Sequence, residues 1–120
     1  MEKIFTIKNN ATFSKMYRAK SSVQSTVVLY YRPNKYSEKA QIGITAGKKL
    51  GGAVQRNRVR RLIKEAYRKL VLDGTGINDK KYNFVFVARS RCFGPKIRMQ
   101  DVYRDMMRAF CDAGVLSEEQ

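Results

Sequence analysis

Residues 51–69 read Gly-Gly-Ala-Val-Gln-Arg-Asn-Arg-Val-Arg-Arg-Leu-Ile-Lys-Glu-Ala-Tyr-Arg-Lys, and apolar and basic residues alternate there with the period of an α-helix. At ~100° per residue, six apolar side chains fall within a sector of roughly 140°. They are Val59, Leu62, Ile63, Ala66, Tyr67 and Leu70. Opposite them, within about 100°, lies a set that we call the basic strip: Asn57, Arg60, Arg61, Lys64 and Arg68. The spacing predicts one long helix with a buried apolar face and a basic outer face.

The basic strip indicates a polyanionic ligand. Cations one turn apart repel each other and weaken an isolated helix by a few tenths of a kcal/mol per pair, and only Glu65 lies near the edge of the strip. An ordinary solvated face, the alternative interpretation, mixes both signs of charge. The basic tract also begins before the helix, at Lys48 and Lys49. A membrane surface or a calmodulin-type partner would require the apolar face to be free. We therefore interpret the strip as a phosphate-binding face.

Size and composition fit a single domain spanning residues 1–120, with flexible ends expected at residues 1–3 and 115–120. The net charge of +15 predicts attraction to nucleic acid. No run approaches the ~18 apolar residues of a membrane span, and residues 1–8 lack the apolar segment of a signal peptide. Cys92 and Cys111 have no metal-ligand spacing, and the chain has no histidine. We expect reduced thiols in a cytoplasmic protein.

The flanking segments predict a first helix followed by strands. Asn9 or Asn10 can cap a helix that fades near residues 19–20, and Ser21-Ser22 breaks its pattern. Residues 27–31 and 40–46 are predicted strands, with a polar hairpin loop between them. Residues 47–52 form a basic, glycine-bracketed turn into the long helix.

After the long helix, which should end near Leu72 with Gly74 as its left-handed cap, one more strand and one more helix follow. Residues 82–88 form a nearly continuous apolar run, which predicts a central strand. A final helix begins near Asp101 and ends before Gly114. This order of elements favours an α+β fold in which helices cover a small mixed sheet.

No constellation in the sequence suits protein-based catalysis. Histidine is absent, no nucleophile–base pair stands out, and the ten acidic residues are scattered. Residues 47–52 lack the Gly-Lys-Ser/Thr ending of a nucleotide-binding loop. The chain therefore reads as a binding protein.

Aromatic residues add a second candidate surface. Phe13 and Tyr17 lie one turn apart on the first helix, and Tyr30 or Tyr31 lies on the first predicted strand. Such rings can stack on unpaired bases, each worth about 1–3 kcal/mol. Spacing alone favours the alternative, in which Phe13 and Tyr17 are ordinary core residues.

Residues 48–68 resemble the signature "RNR" helix of the protein subunit of bacterial ribonuclease P. The upstream Phe13-x-x-x-Tyr17 pattern and the strand segments at residues 28–30, 43–44 and 85–89 resemble family elements in the same order. The resemblance covers about residues 4–110 and rests on the whole spacing, because a bare Arg-Asn-Arg carries no information.

The resemblance implies a compact two-layer α/β sandwich of the order αβββαβα, similar to the second domain of ribosomal protein S5. The family has three helices, a small mixed sheet and a left-handed β-α-β crossover through the signature helix, against the usual right-handed preference. It also implies a ribonucleoprotein in which a catalytic RNA, with Mg²⁺ bound mainly by that RNA, removes the 5′ leader of precursor tRNA. The protein then supplies binding and no catalytic residue, and no organic cofactor, metal site, membrane or obligate protein partner is expected.

The resemblance further assigns site residues on two surfaces. Those matching the contacts with the catalytic RNA are Lys48, Lys49, Arg56, Asn57, Arg60, Arg61, Lys64 and Arg68. Those matching the contacts with the leader are Phe13, Tyr17, Tyr30 and Arg89.

Three other functions use the same residues. A ribosomal or chaperone-like RNA-binding protein would share the charge and the aromatic rings. A DNA-binding module would place the basic helix in a major groove, although stacking aromatic rings and a wide basic surface favour flexible RNA over duplex DNA. A protein nuclease acting alone is the third alternative.

Overall fold

The computed structural model describes residues 3–117, which contain five strands and three helices. Their order is β1 Phe5–Thr6, α1 Asn10–Met16, β2 Lys20–Val23, β3 Val27–Pro33, β4 Gln41–Thr45, α2 Ala53–Leu72, β5 Tyr82–Ala88 and α3 Met99–Asp112. Short 3-10 turns at Lys48–Leu50, Ile77–Asp79 and Ser90–Phe93 join some of them. The predicted α+β class and the order αβββαβα are confirmed, with one additional strand, β1, before α1.

The strands form one mixed sheet in the order β1-β4-β5-β3-β2. β5 is the middle strand, as its apolar run predicted, and it pairs parallel with β4 and antiparallel with β3. Because β5 lies between β3 and β4, the hairpin predicted between those two strands is wrong. The parallel neighbours β4 and β5 are joined through α2. The edge strand β1 pairs parallel with Gln41 and Ile42 and is too short to show a sequence period.

The other edge strand corrects a prediction. Ser21 and Ser22, which were expected to break the chain after α1, lie inside β2 and pair with Tyr30 and Leu29. Their polarity suits this edge, because the buried Ser22 hydroxyl donates to a carboxylate oxygen of Asp112 on α3. α1 itself ends at Met16, earlier than predicted.

The apolar face of α2 packs into the core between the sheet and α3, as predicted. Five of the six predicted side chains are buried, and Leu62 is half-buried. Tyr67 contacts the ring of Phe86 on β5, with ring centroids 6.1 Å apart. Phe110 of α3 completes the cluster at 4.8 Å from Phe84. Full burial of such a side chain contributes about 1.5–3 kcal/mol, so this face fixes the orientation of α2.

α3 is fastened to the turn between β2 and β3 by a buried carboxylate. Asp105 accepts hydrogen bonds from the backbone N–H of Thr26 at 2.9 Å and from its hydroxyl at 2.7 Å. α3 ends before Gly114, as predicted, and Gly114 has a left-handed φ of 75°. Val115 and Leu116, placed by sequence in a flexible end, are buried against the core. Residues 1–2 and 118–120 of the predicted flexible ends lie outside the described residues.

α1 lies on the opposite face of the sheet from α2 and α3. Successive strand residues point to opposite faces, so the neighbours of the core residues Leu29 and Ile42, namely Tyr30 and Gly43, face α1. Asn9 caps the helix by accepting from the backbone N–H groups of residues 11 and 12, as predicted. α1 thereby presents its side chains beside an exposed sheet face.

Candidate nucleic-acid interface

All five members of the basic strip are exposed on the outer face of α2. Three ion pairs occur within residues 3–117, and none involves the strip: Lys39–Asp79, Lys69–Asp73 and Arg104–Asp101. Within the strip, Arg60 makes a long contact of 3.5 Å with the amide oxygen of Asn57. The cations therefore stand side by side without neutralising acids, an arrangement suited to a row of phosphates.

The turn before α2 carries two exposed cations, Lys48 and Lys49, next to the N-terminal end of the helix. Gly52 precedes the first turn of α2, and its backbone N–H donates to the side-chain oxygen of Gln55 at 2.9 Å. That oxygen satisfies a donor that the helix itself leaves unpaired. This hydrogen bond fixes the backbone at the start of α2, where the turn that carries Lys48 and Lys49 joins the helix.

The remaining arginines of the signature differ in their surroundings. Arg58 is a structural residue: its guanidinium donates to the carbonyl of Ile97 at 2.6 Å and more weakly to that of Gly94 at 3.4 Å. Arg56 is half-buried, since it lies only ~60° around the helix from Val59. Its Nε is buried and has no hydrogen-bond partner among the described residues. Arg56 therefore belongs to the border of the strip rather than to its centre.

Phe13, Tyr17 and Tyr30 form one continuous set of rings, which we call the aromatic surface. The centroids of Phe13 and Tyr17 are 6.1 Å apart, and Tyr17 meets Tyr30 edge-on at 5.4 Å. Tyr17 is 45% exposed, whereas Met16 is the buried residue of α1. Tyr17 is thus a surface ring, contrary to the alternative in which it served the core.

Gly43 sets the position of Phe13. A Cβ atom at Gly43 would lie 2.4 Å from Cε2 of Phe13, closer than two carbon atoms approach. The ring of Phe13 therefore lies directly over the strand backbone. Sequence reasoning missed this role because nothing local to a strand glycine tells which ring covers it.

The basic strip and the aromatic surface meet at the edge of the sheet. β1 pairs with β4 only through Gln41 and Ile42 among the described residues, so the rest of β4 borders a cavity of about 400 Å³. Its floor is apolar and includes Ile7, Phe13 and Ile44, and its rim carries three cations of the strip: Arg60, Arg61 and Lys64. The tertiary structure thus joins two surfaces that are separate in sequence.

Arg89 lies apart from the aromatic surface. It follows the end of β5, four residues beyond Val85, the register partner of Tyr30. At ~3.3 Å per residue, about 13 Å of strand separates the two positions. The exposed Arg89 guanidinium donates to the carbonyl of Gln24 at 2.7 Å, so the turn before β3 orients it.

The two cysteines form no disulfide. Cys92 is buried, and desolvation raises the pKa of its thiol to about 11. Cys111 is half-buried. Residues 3–117 contain no group of three or more Cys, Asp or Glu side chains placed to hold a metal ion. None of the helices described there has the length and apolar character of a membrane span.

Comparisons with known proteins agree on one family. The family model described as Ribonuclease P matches residues 1–113. The chain is 41% identical over 93 residues to the ribonuclease P protein component of Clostridium novyi, covering 76% of this chain and 79% of that protein. It is 35% identical to the Clostridium acetobutylicum component, covering 92% and 89%. The fold is similar to that of the Staphylococcus aureus RNase P protein, with a TM-score of 0.77, 26% identity and coverage of 96% and 100%.

Proposed function

Because this chain belongs to the ribonuclease P protein family, as its family-model match and its relatives establish, we propose that it binds two RNAs on two adjoining surfaces. The basic strip, with Lys48 and Lys49, binds the catalytic RNA of the holoenzyme. The aromatic surface binds the single-stranded 5′ leader of precursor tRNA. The observation that carries this proposal is the row of exposed cations, none of them in the ion pairs found within residues 3–117, beside the exposed ring of Tyr17.

The chemistry of cleavage is assigned to the RNA. Mg²⁺ held by the RNA partner would supply the charge that activates water and stabilises the leaving oxygen. The protein's own residues act by binding: its cations neutralise phosphates near the reaction, and its rings hold the leader so that the scissile bond is positioned. We place this activity in the cytoplasm.

Family membership also bears on the three alternatives. A ribosomal protein, a DNA-binding module and a nuclease acting alone each use part of the same surface, but the match to the Ribonuclease P model spans residues 1–113. The chain is therefore grouped with a subunit of an endoribonuclease.

The binding of the catalytic RNA is tested by the double substitution Arg60→Ala with Arg61→Ala. Each lost phosphate contact should reduce the slope of log K against log salt by about one unit, so the double variant should reduce it by about two. The matched control is Lys96→Ala with Arg108→Ala, which removes the same charge from two exposed positions in and before α3 that take part in none of the three ion pairs. An unchanged slope, or an equal reduction in the control, would refute the role of the strip.

The binding of the leader is tested at Tyr17, the most exposed ring of the aromatic surface. Tyr17→Ala should weaken binding of leader-bearing precursor tRNA by about fivefold or more. It should leave binding of mature tRNA unchanged, because that product has no leader. Tyr17→Phe keeps the stacking ring and should bind as the unchanged chain does. Equal losses for both RNAs would place Tyr17 outside the leader contact.

A further inference from the structure

Besides the basic strip, a second cation-rich surface lies on the flank of α1 away from the aromatic surface. Two cavities of about 560 and 420 Å³ adjoin at the corner of the sheet where β3 ends, and both are lined by Lys15, Arg32 and Pro33. We call them together the corner groove. Five cations line it: Lys15, Arg18, Lys20, Arg32 and Lys35. Three tyrosines accompany them: Tyr31, Tyr36 and Tyr82.

The charge of the corner groove is of one sign. None of the residues that line its two cavities carries a carboxylate. All five cations are exposed, and none takes part in the three ion pairs found within residues 3–117. Because ordinary solvated surfaces mix acids with bases, a groove of this kind favours a polyanion.

Tyr36 gives the corner groove a stacking ring. It is 89% exposed, which is high for a large aromatic residue. Its loop is nevertheless held in place by Asn34, whose side-chain oxygen accepts from the backbone N–H of Tyr36 at 3.2 Å. The amide group of Asn34 donates to Asn83 on β5 at 3.0 Å, and its backbone N–H donates to the carbonyl of Lys81 at 2.8 Å. These hydrogen bonds fix the backbone of the loop that carries the exposed ring of Tyr36.

The corner groove is separate from the aromatic surface. Phe13 and Tyr17 lie on the flank of α1 that faces Gly43 and Tyr30. Lys15 lies about 160° around the helix from Tyr17 and lines both cavities. An RNA segment bound on the aromatic surface therefore leaves the corner groove open to another segment of RNA.

We propose that the corner groove binds a second segment of single-stranded RNA, with phosphates on its lysines and arginines and an unpaired base on the ring of Tyr36. This goes beyond the proposed function, since none of the groove residues was assigned to the leader or to the catalytic RNA. Single-stranded RNA is favoured over a duplex because only unpaired bases offer a face to an exposed ring.

The test measures binding of the full chain to a fluorescein-labelled 15-nucleotide oligouridylate by anisotropy. Tyr36→Ala should weaken binding by about fivefold or more, and Tyr36→Phe should restore it. A triple groove variant, Lys15→Ala with Arg32→Ala and Lys35→Ala, should reduce the salt slope by about two units, since each phosphate contact on a single strand contributes about 0.7. Circular dichroism confirms that each variant is folded.

The matched control removes three exposed cations from the segment around α3: Lys96, Arg98 and Arg108. Their replacement by alanine should leave the slope unchanged. A Tyr36→Ala variant that binds like the unchanged chain would overturn the proposal, as would an equal loss in the control. So would a groove variant that loses as much affinity for a 15-base-pair RNA duplex as for the single strand, because the groove would then be a general charge patch.

The same assay separates this proposal from the leader-binding role. If one 15-nucleotide strand contacts both surfaces, the losses from Tyr17→Ala and Tyr36→Ala add in the logarithm of affinity, as for distant sites. A loss at Tyr36 alone would support the groove and count against the leader surface. A loss at Tyr17 alone would overturn the groove and leave the leader surface standing.

Discussion

Replacing Gly43 with alanine should displace the ring of Phe13 and thereby disable the aromatic surface without changing any residue on it. The added Cβ atom would lie 2.4 Å from Cε2 of Phe13 and 2.9 Å from Cζ. Carbon atoms pack at about 3.5–4.0 Å, so the ring must move by about 1 Å or more. Phe13 is half-buried, so its ring can be displaced toward solvent.

The magnitude follows from the clash and from the lost ring. Overpacking of this kind costs about 1–3 kcal/mol of unfolding free energy, and we expect the lower end because the ring can move toward solvent. If the displaced ring no longer stacks on a leader base, about 1–3 kcal/mol of binding is also lost. That loss corresponds to a reduction of roughly 5- to 150-fold in affinity for leader-bearing precursor tRNA.

The assay is a double-mutant cycle with Phe13→Ala, read by urea unfolding and by precursor-tRNA binding to the reconstituted holoenzyme. In the Phe13→Ala background the clash is gone, so Gly43→Ala should cost almost no stability and no further binding. Gly47→Ala is the matched control, since a Cβ there meets nothing within 4 Å and the φ of −65° suits alanine. The reasoning is refuted if Gly43→Ala leaves stability and binding unchanged, or if its cost persists without the Phe13 ring.

Three further outcomes are expected. Asp105→Ala leaves two buried donors of Thr26 without their acceptor and should lower the free energy of unfolding in urea by about 1.5–3 kcal/mol. The same change at the exposed Asp112 should lower it clearly less, and equal losses would contradict the prediction. Iodoacetamide at pH 8 should alkylate Cys111 well before Cys92, because burial raises the pKa of the Cys92 thiol to about 11. In urea the two alkylation rates should become similar. Equal alkylation rates in the folded protein would be inconsistent with the burial of Cys92. The protein should lower the Mg²⁺ concentration at which the catalytic RNA is half-active, because its cations neutralise phosphates that bulk Mg²⁺ would otherwise screen; an unchanged requirement would exclude this role.

The raised pKa of Cys92 also predicts how the free energy of unfolding changes with pH. The folded thiol holds its proton to about pH 11, above its ordinary value of 9.0. Below about pH 9 the thiol is protonated in both states, and its contribution to the fold is fully present. As pH rises from 9 through 11 the unfolded chain loses this proton first. Unfolding free energy should therefore fall across that window.

Sequence periodicity determined the elements that have a strong local signal. The 3.6-residue period of α2 identified both its buried face and its basic strip, because a helix converts spacing into orientation without help from the rest of the chain. The apolar run of Tyr82–Ala88 likewise identified a strand buried on both sides, and the structure places it at the centre of the sheet. Asn9, Gly74 and Gly114 marked helix ends through local chemistry alone.

Tertiary structure decided what depends on contacts between distant residues. β1 and β2 exist as strands because their neighbours offer hydrogen bonds, and neither carries an apolar alternation of its own. The exposure of Tyr17, the ring of Phe13 over Gly43 and the cavity joining Phe13 to Arg60 follow from how α1 crosses the sheet. The corner groove is likewise assembled from segments as far apart as Lys15 and Tyr82. Periodicity reports the face of one element, whereas a surface built from several elements is fixed only when the sheet sets their positions.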